Sequence, residues 1–147
     1  MKKIILISVI FFGLIGMQQA QTLDHFFDKY AKNDKFTYVS VGKGMINAIE
    51  NYADLDEELE SPIPNSVKIL TLEDVTTINA TLAKQVIVEI SNIMSTDNFE
   101  KTLEVREKGN ITYMYSKKYE NQETDQLLID INDEELNIIW TKNKKSK

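Results

Sequence analysis

The sequence predicts an α+β fold in which helices pack on one face of a mostly antiparallel sheet of about six strands, the last four forming a C-terminal meander. Three observations point there. Apolar residues recur at helical spacing in segments before Phe99, and two β-branched or aromatic runs lie between those segments. From Phe99 the period switches to two and holds to Trp140. The chain has 147 residues and contains no cysteine, so one domain must be held by packing alone, without disulfides or thiolate metal centres.

Taken in order, Thr22 to Ala31 has a capping threonine, Asp24 in the first turn, and apolar residues at 23, 26, 27 and 30, the stripe of an amphipathic helix. Phe36 to Val41 has strand composition. Lys43 to Tyr52 returns to helical spacing through Met45, Ile46, Ile49 and Tyr52. Val67 to Leu72 reads as a second strand. Asp74 or Thr76 would cap a long helix carrying Ile78, Leu82, Val86, Ile90 and Ile93. In the meander, alternation places Phe99, Leu103 and Val105 on the core face, and Gly109-Asn110 supplies a tight turn. Ile111, Tyr113 and Tyr115 continue that face, followed by Leu127, Ile129 and Ile131, then Leu136, Ile138 and Trp140.

Residues 1–20 read as a secretory signal peptide: a basic start at Lys2 and Lys3, an apolar run from Ile4 to Ile15, and small Ala20 before the cut. The run is shorter than the ~20 apolar residues that a helix needs to cross a bilayer, so no membrane span is expected after cleavage. Without a lipidation cysteine, the expected location is periplasmic or secreted. Residues 21–142 form a single domain, and residues 143–147 a basic tail carrying Lys144, Lys145 and Lys147. The formal charge is −6, which repels phosphate backbones and makes nucleic acid an unsuitable partner.

Several segments resemble the small Gram-negative envelope family known as domain of unknown function 4252. They are Phe27-Asp28-Lys29-Tyr30-Ala31, the stretch Val39 to Met45 (VSVGKGM), Ile69 to Asp74 (ILTLED) and Phe99 to Gly109 (FEKTLEVREKG). The resemblance covers nearly all of the chain beyond the signal peptide. It implies an exported domain with no assigned activity, cofactor or catalytic residue. Where the family's final strand often runs into a glycine, this chain has Trp140-Thr141-Lys142-Asn143.

Chemistry is sparse. Ser40-Val41-Gly42-Lys43 matches the S-x-x-K spacing of a serine nucleophile and lysine base, without the companion S-D-N and K-T-G elements. His25 is the single histidine, with Asp24 and Asp28 beside it. The run from Asp130 to Glu135 opens like a calcium loop but lacks the glycine at its sixth place and the glutamate at its twelfth. Asp54, Asp56, Glu57, Glu58 and Glu60 form a denser cluster that would hold calcium weakly, or would simply be solvated. No nucleotide-binding glycine motif occurs, and no cofactor or metal is expected. Tyr113, Tyr115, Tyr119 and Trp140 suggest a stacking platform, but Tyr113, Tyr115 and Trp140 share core parity.

On the opposite face, Met114, Leu128 and Ile139 interrupt a polar surface that would carry Glu100, Thr102, Glu104 and Arg106 on its first strand. They are either scattered exposed side chains or neighbours forming a docking patch for an envelope protein partner. Their relative position decides. The expected function is therefore a non-enzymatic exported interaction domain. The alternatives are an envelope enzyme using Ser40 and Lys43 or carboxylates, and a weak calcium binder using residues 54–60.

Overall fold

A computed structural model describes residues 21–53, 64–121 and 123–143, with only the backbone described for 49–53. Residues 1–20, read above as a signal peptide, the acidic cluster at 54–60 and tail residues 144–147 lie outside the described residues. The elements are α1 (Leu23–Ala31), β1 (Phe36–Gly42), α2 (Lys43–Ala53), β2 (Ser66–Glu73), α3 (Ala80–Thr96), β3 (Glu100–Glu107), β4 (Asn110–Lys118), β5 (Thr124–Ile131) and β6 (Glu135–Lys142). The strands form one sheet in the order β1-β2-β6-β5-β4-β3, antiparallel throughout. The meander thus starts at one edge and returns to pair β6 with β2. Among the described residues no helix is long and apolar enough to cross a membrane.

Helix α1 begins where Thr22 Oγ1 accepts the His25 backbone N–H at 3.3 Å, replacing an intrahelical bond missing at that end. Its stripe, Leu23, Phe26, Phe27 and Tyr30, is wholly buried. Helix α3 buries Ala83, Val86, Ile90, Ile93 and Met94. Both lie on the sheet face that presents Leu70, Leu72, Leu127, Ile129, Leu136, Ile138 and Trp140. Phe27 meets Trp140 at 5.6 Å between ring centroids, and Phe26 meets Tyr30 edge-on at 4.8 Å.

The two helices are joined by a polar clasp. Glu89 on α3 accepts Tyr30 Oη at 2.7 Å and Lys29 Nζ at 2.8 Å, and also the Gln21 amide. Burial opposes ionisation of Glu89, but these three donors and the Lys29 charge outweigh it and hold the carboxyl below its usual range. A depressed carboxyl stabilises fully above its unfolded pKa, and that stability is lost as pH falls through the folded value. Glu89→Gln should therefore lose about 1 kcal/mol at pH 7, a modest figure because Lys29 is half exposed. Urea unfolding at a series of pH values checks this: the gap between variant and wild type should narrow below about pH 4.

Several local expectations are corrected. Helix α3 starts at Ala80, not at a cap on Asp74 or Thr76. Asp74 instead takes a positive φ of 56°, and its carbonyl accepts the N–H groups of Thr77 and Asn79. This turn leaves Ile78 80% exposed, outside the helix it was expected to join. Met45 on α2 is exposed and Ile46 half-buried. The β3–β4 turn is Lys108-Gly109, both with positive φ as a type I′ hairpin requires, one residue earlier than expected.

The largest correction is in β3. Lys101 pairs with Tyr115 and Leu103 with Met114, so an extra residue, Thr102, bulges out between them. A one-residue offset exchanges the two faces of a strand. Leu103 and Val105 therefore leave the core face and are each 44% exposed, while Glu104 and Arg106 turn to the helix side.

Candidate functional site

The register places Met114, Leu128 and Ile139 directly opposite one another on β4, β5 and β6. The row does not stop there. Ile139 is opposite Ile69, Ile69 opposite Val39, and Met114 opposite Leu103. One apolar row, Val39-Ile69-Ile139-Leu128-Met114-Leu103, thus crosses the six strands on the face away from α1 and α3. At ~4.8 Å per strand it is about 24 Å long. Its inner members are half-buried by their neighbours, while the ends, Val39 and Leu103, are exposed.

Polar rows border it. On one side Thr71 Oγ1 donates to Asn137 Oδ1 at 2.7 Å, and Thr112 Oγ1 to Asp130 Oδ1 at 2.6 Å. On the other, Thr141, Gln126 and Ser116 follow in register, with Val41 and Val67 extending the apolar surface near β1. Charge is sorted by face. Among the described strand residues, Lys68, Lys101, Arg106, Lys117 and Lys142 take the helix-side parity, and Lys118 alone among strand cations takes the open one. Glu73, Glu100, Glu107, Asp130 and Glu135 stand on the open side. The open face is therefore an apolar row in an acidic frame.

The helix-side cations have local work. Lys68 and Lys142 reach Asp24 at 3.1 and 3.5 Å and lie 5.4 and 5.2 Å from the Trp140 ring centroid, tying the start of α1 to the sheet. Lys117 pairs with Asp97 at 3.0 Å. At the other margin, Lys101 and Arg106 both engage Glu104, at 2.9 and 2.7 Å. Hydrogen bonding to Glu104 raises the Lys101 and Arg106 pKa values, and those same bonds lower that of Glu104. These three side chains border a groove of about 240 Å³ between α3 and the β3–β4 hairpin, floored by Tyr113 and Tyr115.

The other sequence candidates are exposed or already engaged. Ser40 and Lys43 are exposed, and among the described residues neither side chain has a hydrogen-bond partner. Asp24 serves Lys68 and Lys142 rather than His25, whose side chain is exposed. In the β5–β6 turn Asn132 Oδ1 accepts the backbone N–H groups of Glu134 and Glu135, both at 2.8 Å, so this oxygen closes the turn. The aromatic platform is divided. Trp140 is buried under Phe27, Tyr119 donates to Asp125 at 2.9 Å, and Tyr113 and Tyr115 remain at the groove.

A recess of about 410 Å³ lined by Glu73, Asp74, Asp133, Glu134 and Glu135, with Thr76 and Thr77, was not legible in the sequence, because two distant turns build it. Among the described residues no group of three or more His, Asp or Glu side chains is arranged to hold a metal ion. The family model described as Domain of unknown function (DUF4252) matches residues 30–142. No curated protein and no solved structure matches the chain.

Proposed function

This chain belongs to the domain of unknown function 4252 family, and from that premise and the sorting of charge across its sheet we propose that it is a non-enzymatic exported domain of the cell envelope that docks another protein on its open sheet face. The observation that carries the reading is the apolar row continuous from Val39 to Leu103 within an acidic frame. Such a row offers apolar burial, and its frame selects the partner. The occupant is a protein surface with an apolar strip edged by lysine or arginine. A second copy of the same face would set Glu73, Asp130 and Glu135 against like charges, and an anionic lipid surface would be repelled. The signal-peptide reading of residues 1–20 supports export. The engagement of Asp24 with Lys68 and Lys142, away from His25, favours binding over catalysis.

The test compares wild type with a Met114→Ser/Leu128→Ser/Ile139→Ser variant in capture from envelope extract, followed by direct binding of the purified captured protein. Wild type should retain a partner whose affinity falls about tenfold or more in the variant and weakens with added salt. Charge reversal at exposed Glu73 and Glu107 should slow association of that partner. Identical capture by both proteins would overturn the proposal. So would a stability loss in the triple variant above about 3 kcal/mol, because an uncovered row does not cost that much to make polar.

A further inference from the structure

We propose that the groove between α3 and the β3–β4 hairpin binds a small organic carboxylate with a flat apolar body, independently of the open face. The Thr102 bulge creates this groove. By turning Glu104 and Arg106 to the helix side beside Lys101, it removes the apolar strand side chains that α3 would otherwise cover, so the core stops at β4. Tyr113 and Tyr115, with ring centroids 6.4 Å apart, form a floor that is aromatic and half exposed. Ile87 on α3 and Ile129 on β5 supply aliphatic walls.

The polar side of the groove suits one anion. Two cations share the single Glu104 carboxylate, which leaves one positive charge uncompensated at the mouth of a chain that is acidic overall. Lys101 Nζ sits 5.0 Å from the Tyr113 ring centroid, so the charge lies beside the aromatic floor. The Tyr113 hydroxyl receives only a long 3.4 Å contact from Arg106, and the Tyr115 hydroxyl has no hydrogen-bond partner among the described residues. Both are available as donors. At about 240 Å³ the space falls below the ~300 Å³ where drug-sized pockets begin, which selects a ligand of about one ring. The ring would stack on the tyrosines while its carboxylate takes the second cation from Glu104.

Benzoate is the probe, with benzyl alcohol and benzylammonium as neutral and cationic counterparts, followed by NMR of the Ile87 and Ile129 methyl groups. Benzoate should give saturable shifts with a Kd of about 1 mM, and benzyl alcohol should bind about tenfold more weakly. Benzylammonium should leave these signals unmoved. A Lys101→Gln/Arg106→Gln variant, altered at two exposed positions, should keep its fold and lose benzoate preference over the alcohol. The open-face triple variant should bind benzoate as wild type does, which separates this site from the docking face. Absence of saturable shifts up to about 20 mM, equal binding of acid and alcohol, or unchanged benzoate affinity in the double variant would overturn the proposal.

Discussion

Phe27→Ala is expected to destabilise the protein by about 3–5 kcal/mol. Phe27 is fully buried and stands in the middle of the two-layer contact, with Trp140 of β6 at 5.6 Å and Phe26 at 5.8 Å. Truncation removes the transfer free energy of a ring and leaves a cavity that its packed neighbours Trp140 and Phe26 cannot close. α1 has nine residues, too few to persist as a helix in water without its packed face. Loss of Phe27 therefore weakens both the packing and the helix that delivers it. Phe27→Leu should recover roughly half of the loss, because it keeps the apolar contact while leaving part of the void. Thermal unfolding checks both, with a fall in Tm of about 10–20 °C for the alanine variant. A shift of only a few degrees would mean that α1 contributes little to the cooperative core.

That core was legible because its elements obey one period each. The stripe at 23, 26, 27 and 30 admits only a helix, and the alternation through Leu127, Ile129, Leu136, Ile138 and Trp140 fixes which side of β5 and β6 is covered. Met114, Leu128 and Ile139 could be named for the same reason: they break the polar parity of the opposite face. Their extension to Ile69 and Val39 depends on β6 pairing with β2, and strand order is a tertiary property that no local pattern encodes. The β3 faces were misassigned for a different reason. Alternation counts residues, and a bulge inserts one without any mark in composition: Thr102 is an ordinary strand residue. The groove was invisible as a consequence, since it exists only where that bulge turns the charged side of β3 inward. Ile78 shows the reverse failure, an apolar residue at helical spacing that falls in a turn because Asp74 takes a left-handed conformation.

Asp125→Ala should cost about 3 kcal/mol, a large loss for a polar side chain. Asp125 is 1% exposed, on the helix-side parity of β5. One carboxylate oxygen accepts the Asn143 backbone N–H at 2.8 Å and the other the Tyr119 hydroxyl at 2.9 Å. It thus ties the end of β6 to the connection between β4 and β5. Alanine would leave both donors without this acceptor. Asp125→Asn should cost less, because an amide oxygen can still accept the Asn143 N–H while its NH₂ donates to the Tyr119 oxygen. Burial first, and then the hydrogen bond and charge of Asp125, push the Tyr119 phenol above its ordinary value. A raised phenol contributes stability that is complete below its unfolded pKa and is lost as pH rises toward the folded value. Wild type should therefore lose stability progressively above about pH 10, and Tyr119→Phe should flatten part of that decline, with Tyr30, raised by burial and by Glu89, supplying another part. Chemical denaturation of wild type, Asp125→Ala and Tyr119→Phe between neutral pH and about pH 11 reads these effects in one series. An alkaline limb of the same slope in Tyr119→Phe as in wild type would show that the Tyr119–Asp125 bond does not persist in solution.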